Sequence, residues 1–207
     1  MSNLISYLKQ EGITATIKRA WKKIFLNGDN HTVFLRVILE DISPINGTER
    51  DINVLDETNR TAFDKIKFWN FINADKYIGN DHQSVVMLRE DGKFVGYAAE
   101  EHEIQRIIHG LGEFSLKKNE GWIGPVFVCR EWRGRGLNKQ LLLQQMYRLN
   151  NIGVTTIYTA INSDNYSSLN SFRNVGFNII GAVNGNGEII YDLEDILHTA
   201  FKKKERV

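Results

Sequence analysis

The order of strand and helix signals predicts an α/β fold, a mixed β-sheet with helices on both faces. Three observations predict it. A strand ending in Val126-Phe127-Val128 runs through a glycine-rich turn into a helix whose apolar stripe is Leu137, Leu141, Leu142, Met146 and Leu149. A second β-branched strand, 154–161, follows and leads into a shorter helix, 165–174, closed by Gly176. Two hairpin signals, Asp91-Gly92 and Asn184-Gly185-Asn186-Gly187, bracket this central unit, because glycine tolerates the positive φ of a tight turn.

In chain order, residues 1–26 carry Ile13, Ile17, Ala20, Trp21, Ile24 and Phe25 at helical spacing, interleaved with Lys18, Arg19, Lys22 and Lys23. Such a basic amphipathic helix suits its own domain, a sister subunit in a homodimer, a partner or a peripheral membrane contact. Residues 1–30 are read as a helical extension of one domain spanning 1–207. Thr32 to Ile42 reads as a strand, 43–50 as a loop around Pro44 and Gly47, and Asn59 to Tyr77 as one helix or two. Ser84–Arg89 and Lys93–Ala99 form the first hairpin. Glu100 to Lys118 gives no clear signal, and Gly121 to Val128 is the strand that enters the turn. After the long helix, Asn150-Asn151-Ile152-Gly153 is a stop. Phe177–Val183 and Glu188–Asp192 form the last hairpin, and 194–204 a final helix.

Bulk properties narrow the function. A chain of 207 residues can bury a sizeable single core. A net charge of +1 argues against bulk binding to nucleic acid. One cysteine excludes an internal disulfide framework and a cysteine-based metal cluster. No apolar run is long enough to span a membrane, and the N-terminus lacks a secretory pattern, so a cytoplasmic location is expected, with no metal.

The turn Arg133-Gly134-Arg135-Gly136-Leu137-Asn138 carries the chemistry. A helix N-terminus offers unpaired N–H groups and the positive end of the macrodipole, and two arginines add charge, so the spot suits a phosphorylated ligand. It is neither a P-loop, which ends in Gly-Lys-Ser/Thr, nor a dinucleotide fingerprint, which has three spaced glycines. The pattern Arg-x-x-Gly-x-Gly/Ala after a strand resembles the GNAT superfamily of acyl-CoA-dependent N-acyltransferases, with Asn138 in place of the last Gly or Ala. A second segment, Asn165 to Phe177, resembles that family's Asn-x-x-Ala/Ser-x-x-x-Tyr/Phe-x-x-x-Gly-Phe. The phrase Trp122-Ile123-Gly124-Pro125 is similar to acetyltransferases encoded in bacterial surface-polysaccharide clusters.

The resemblance implies a splayed sheet whose gap takes the pantetheine arm of acetyl-CoA as if it were an added strand. It assigns the strand Val126, Phe127 and Val128 to that arm and the backbone of Arg133, Gly134, Arg135, Gly136, Leu137 and Asn138 to the pyrophosphate. It places Asn165 on the cofactor arm and Phe172 near the thioester. Gly124-Pro125 is a natural bulge, since proline donates no N–H. The implied activity is transfer of an acetyl group from acetyl-CoA to an amine by direct attack. An amino sugar or sugar nucleotide is the favoured acceptor; a protein or peptide amine, or acyl-CoA binding without turnover, is the alternative.

Phe172 stands where many members of that family have an acidic tyrosine, so Ser168, four residues earlier on the same helical face, is a candidate donor. Glu120 is the candidate base, and strict alternation places it on the face of Val126 unless a bulge intervenes. Glu101, His102, Glu103 and His109 are further titratable groups on the acceptor side. Cys129 alternates away from Val126 and Val128, which argues against a covalent route.

Overall fold

The computed structural model describes residues 31–39, 52–67, 72–108, 112–184 and 189–190. The proposed N-terminal helix, the loop 43–50, His109, most of the Asn184–Gly187 turn and the helix 194–204 lie outside them.

Ten strands are described: β1 (Thr32–Ile38), β2 (Ile52–Val54), β3 (Gln83–Glu90), β4 (Lys93–His102), β5 (Gln105–Ile108), β6 (Gly112–Ser115), β7 (Glu120–Val128), β8 (Thr156–Asn162), β9 (Asn178–Val183) and β10 (Ile189–Ile190). The helices are α1 (Arg60–Ile66), α2 (Leu137–Asn151) and α3 (Tyr166–Arg173), with 3-10 turns at Ala74–Lys76 and Arg130–Trp132. Eight strands form one sheet in the order β10-β9-β1-β8-β7-β4-β3-β2, and β5-β6 is a separate hairpin. β7 and β8 pair in parallel; the other described pairs are antiparallel. The sheet is therefore mixed and open, as the order of elements predicts.

Local chemistry explains most elements. Asp91 and Gly92 both have positive φ, 49° and 73°, which matches the right-handed twist of the β3-β4 hairpin. The region 100–118, silent in sequence, extends β4 to His102 and then folds back as β5-β6. Between Asn59 and Tyr77 the described residues form α1 and a 3-10 turn rather than one long helix.

Helix α2 buries Leu137, Leu141, Leu142, Gln145, Met146 and Leu149 against the sheet. It ends where Gly153 takes φ 90°, a backbone state that favours glycine. Helix α3 begins where the Asn165 side-chain oxygen accepts the Ser168 N–H at 3.3 Å. Both helices cover one sheet face, in a core with Val33, Leu35, Ile123, Ile157, Phe172 and Phe177. The opposite face packs Phe63 of α1 on Tyr97 and Phe127, with ring centroids 5.3 Å apart for Phe63 and Tyr97 and 5.5 Å for Tyr97 and Phe127.

Strand β1 sits between β8 and β9, paired antiparallel to both. The order of elements along the chain carries no sign of that insertion, because the pairing joins residues 118 to 151 positions apart.

Gly96 marks the closest approach in the sheet. A Cβ there would lie 2.8 Å from the Phe127 carbonyl oxygen and 3.4 Å from Leu141 Cδ1. Gly96→Ala is expected to lower stability by about 1–3 kcal/mol, measured by urea unfolding, because backbone cannot move aside as a flexible side chain can.

Candidate functional site

The site is built where β7 and β8 part. Their parallel register holds for Glu120–Thr156, Gly121–Ile157 and Trp122–Tyr158 and then stops. Against β4 on its other side, β7 has a bulge: Ile123 pairs Glu100 and Val126 pairs Ala98, so three steps on β7 match two on β4. The extra residue falls at Gly124-Pro125, where Gly124 has φ 135°.

The bulge reverses the alternation of β7. Ile123 and Val126 both join the core under α2, whereas Trp122, Phe127 and Cys129 belong to the opposite face. Glu120 keeps the face of Trp122, where it meets Tyr158, so it does not share a face with Val126 as strict alternation would have it.

At one end of the gap lies the glycine turn. Gly134 and Gly136 have φ 81° and 75°, and a Cβ on either would meet nothing within 4 Å. The backbone there is open to close approach by a ligand. Gly136 caps α2 with no side chain bonded to the helix N–H groups, which leaves the first-turn donors facing outward. Arg133 Nε donates to the Val128 carbonyl at 3.0 Å and pins the turn to the end of β7. The exposed Arg135 guanidinium stacks 4.5 Å over the Trp132 ring. Asn138 is half-buried in the first turn of α2. This combination fits a diphosphate: donors, cations and no Cβ in the way.

Other residues singled out in sequence sit as follows. Val126 is half-buried under α2, Val128 is buried, and Leu137 is 2% exposed, so Leu137 can offer only its backbone to a ligand. Phe127 is core. Asn165 is exposed and spends its side-chain oxygen on capping α3. Ser168 is half-buried. Phe172 is 2% exposed and packs edge-on against Phe177 at 5.0 Å, which makes its ring part of the core beneath α3.

At the other end of the gap, Glu120 is half-buried and held at both oxygens. Tyr158 donates to Oε1 at 3.2 Å and the Lys117 N–H to Oε2 at 3.0 Å. Burial, then the charge of Glu120, raises the Tyr158 phenol above its ordinary value, against an opposing pull from Arg36. Above Gly124, Trp122 Nε1 and Thr159 Oγ1 each lie 3.7 Å from where a Cβ would project. An indole N–H and a hydroxyl thus flank the bulge. Tyr158, Thr159 and Arg36 carried no motif in sequence; only pairing of β8 with β7 and β1 brings them in.

Glu101 is 1% exposed and accepts from Lys76 Nζ at 3.2 Å, and the His102 ring stands 5.3 Å from that of His82. Glu103 is exposed. Cys129 is buried, and burial together with Glu131 pushes its thiol up to about 11 against the pull of Arg133, so it stays protonated and unreactive. No group of three or more His, Cys, Asp or Glu among the described residues is placed to hold a metal ion. No helix among them is long and apolar enough to cross a membrane.

Glu100, 5% exposed, ties α2 to β4. It accepts from Arg148 Nε at 3.0 Å and Ser84 Oγ at 2.6 Å. Burial nonetheless raises its carboxyl above the ordinary 4.5, the nearby Arg148 charge offsetting only part. The folded chain then holds this proton where the unfolded chain has released it, so its contribution is fully present below the ordinary value and is lost as pH rises through the raised one. Glu100→Gln is expected to flatten that decline in urea-unfolding free energies taken from about pH 5 to about pH 8.

A family model described as Acetyltransferase (GNAT) family matches residues 51–177. No curated protein matches the sequence. Among solved structures, a protein of Novosphingobium aromaticivorans assigned to the GNAT acetyltransferases is 18% identical with a TM-score of 0.54, over 75% of this chain and 63% of that one. The chain thus spans less than two thirds of that protein. The aminoglycoside acetyltransferase AAC(6')-Iy, solved with the bisubstrate analogue CoA-S-monomethyl-acetylneamine, is 18% identical with a TM-score of 0.52, over 63% of this chain and 92% of that one. A glucosamine N-acetyltransferase region of a fungal multi-domain GH3 β-N-acetylglucosaminidase is 17% identical with a TM-score of 0.54, over 84% of this chain and 23% of that one. At such identities the likeness is one of fold.

Proposed function

The chain belongs to the GNAT acetyltransferase family, whose members are acetyl-CoA-dependent N-acetyltransferases, and from that premise we propose that it acetylates the amine of an amino sugar or sugar nucleotide. The observation that carries the reading is the early parting of β7 and β8 beside an open glycine turn at the start of α2. Acetyl-CoA brings an activated acetyl group on a thiol that leaves readily. The backbone of Arg133 to Asn138, with the Arg135 charge, holds its diphosphate. The backbone edge of β7 from Val126 to Val128 aligns its arm, and Asn165 lies beside that path.

Glu120 takes the proton from the incoming ammonium, which leaves the nitrogen lone pair free to attack. The N–C bond forms as the C–S bond breaks, and the second proton of the nitrogen passes through Ser168 or water to the thiolate sulfur. Donors around the bulge, Trp122 Nε1 and Thr159 Oγ1, suit negative charge that develops on the acetyl oxygen. Phe172, buried in the core, has no proton to give. Support for a sugar amine comes from the Trp122-Ile123-Gly124-Pro125 phrase and from like folds that act on aminoglycoside and glucosamine.

The test is release of free thiol from acetyl-CoA against a panel of amino sugars, sugar nucleotides and peptide amines. Turnover led by the sugars is expected. Turnover with peptides alone would replace the acceptor. Calorimetric binding with no turnover on any amine would make this an acyl-CoA-binding module. Arg135→Glu with Asn138→Glu is expected to weaken acetyl-CoA binding by roughly tenfold or more while leaving the unfolding midpoint in place. Unchanged binding would move the diphosphate elsewhere.

A further inference from the structure

Strand β1 lies outside residues 51–177, the segment shared with the family, yet it is seated inside the sheet next to β8. Its register sets Arg36 directly across from Tyr158. The Arg36 charge pulls on the Tyr158 phenol, and the Tyr158 hydroxyl donates to Glu120 Oε1 at 3.2 Å. Cation, phenol and carboxylate therefore stand side by side on three neighbouring strands, with a hydrogen bond from phenol to carboxylate. The second Glu120 oxygen is taken by the Lys117 N–H at 3.0 Å.

We infer that Arg36 and Tyr158 are positioning residues for Glu120, and that β1 thereby completes the acceptor end of the site. The inference rests on the reading of Glu120 as the base. A glutamate has three side-chain torsions, and a displacement of about 1 Å at a reacting centre can cost on the order of a hundredfold in rate. Hydrogen bonds on both oxygens fix those torsions. A guanidinium charge beside a phenol polarises its O–H toward donation, so Arg36 strengthens the Tyr158–Glu120 bond. Burial and the Glu120 charge both keep the Tyr158 proton in place, so the phenol remains a donor around neutral pH. On the same face Trp122 pairs Glu101 across β4 and β7, and Lys76 holds the Glu101 carboxylate at 3.2 Å. Arg36 and Tyr158 exchange no proton in the reaction; the amine proton ends on Glu120.

The test uses the full chain and two readouts. The first needs no substrate: 13C-ζ-tyrosine NMR followed against pH, with the Tyr158 signal identified by its loss in Tyr158→Phe. Glu120→Gln is expected to move the Tyr158 titration down and Arg36→Met to move it up. The second is steady-state kinetics with an amine that the protein acetylates. Tyr158→Phe and Arg36→Met are each expected to lower kcat about tenfold with the KM for acetyl-CoA unchanged, and Arg36→Lys to recover part of the loss. A Tyr158 titration that responds to neither substitution would overturn the inference, as would full kcat in both variants while Glu120→Gln is impaired. Full turnover in Glu120→Gln would instead remove the base assignment itself.

Discussion

The parting of β7 from β8 after three paired residues is the constraint on which the rest depends. A parallel pair normally satisfies its backbone groups in an even ladder, and ending it early leaves a row of N–H and C=O groups that want partners. Gly124-Pro125 enforces the ending. Proline cannot donate to a ladder, and the bulge shifts β7 by one residue against β4. An extended ligand arm with amide groups of its own can then take the place of a neighbouring strand. The same shift turns Val126 toward α2 and leaves Glu120 with Trp122 on the far face.

Around this gap the fold is tied by buried carboxyl groups. Glu100 and Glu101 are adjacent on β4, point to opposite faces and are both nearly inaccessible. Each has a cation: Arg148 from α2 and Lys76 from the 3-10 turn that follows α1. Removing one partner of such a pair would leave a buried polar group without its hydrogen bond, so the pairs fix where the two helical layers sit over the sheet. Helix α2 is thus held by apolar contact near its start, where Leu141 lies over Gly96, and by an ion pair near its end. Its first turn keeps its orientation toward the gap.

Strand β1 gives the sheet its width on the far side of the gap. It pairs with β8 along its whole length, so β8, which loses β7 beyond Trp122, still has a complete ladder on one edge. A strand with one continuous neighbour stays straight while the other neighbour diverges. That lets the gap open without disordering the residues that line it, Thr159 among them.

What the sequence determined by itself is local. The Asp91-Gly92 turn, the stripe Leu137 to Leu149, the cap at Asn165 and the glycine turn Gly134–Gly136 each depend on residues a few positions apart, so periodicity and backbone freedom suffice to read them. The bulge at Gly124-Pro125 was legible for the same reason: proline lacks a donor wherever it is placed. Only the tertiary structure decided the rest. Whether Glu120 faces with or against Val126 depends on a register set by β4. The seat of β1 depends on pairing with β8 and β9, far away in sequence. The ring of Phe172 is core because Phe177 and α2 close over it, and Arg36 stands across from Tyr158, and Tyr158 against Glu120, because three strands align. Side-chain partners across a sheet follow from register, and register is a property of the assembled strands rather than of any one of them.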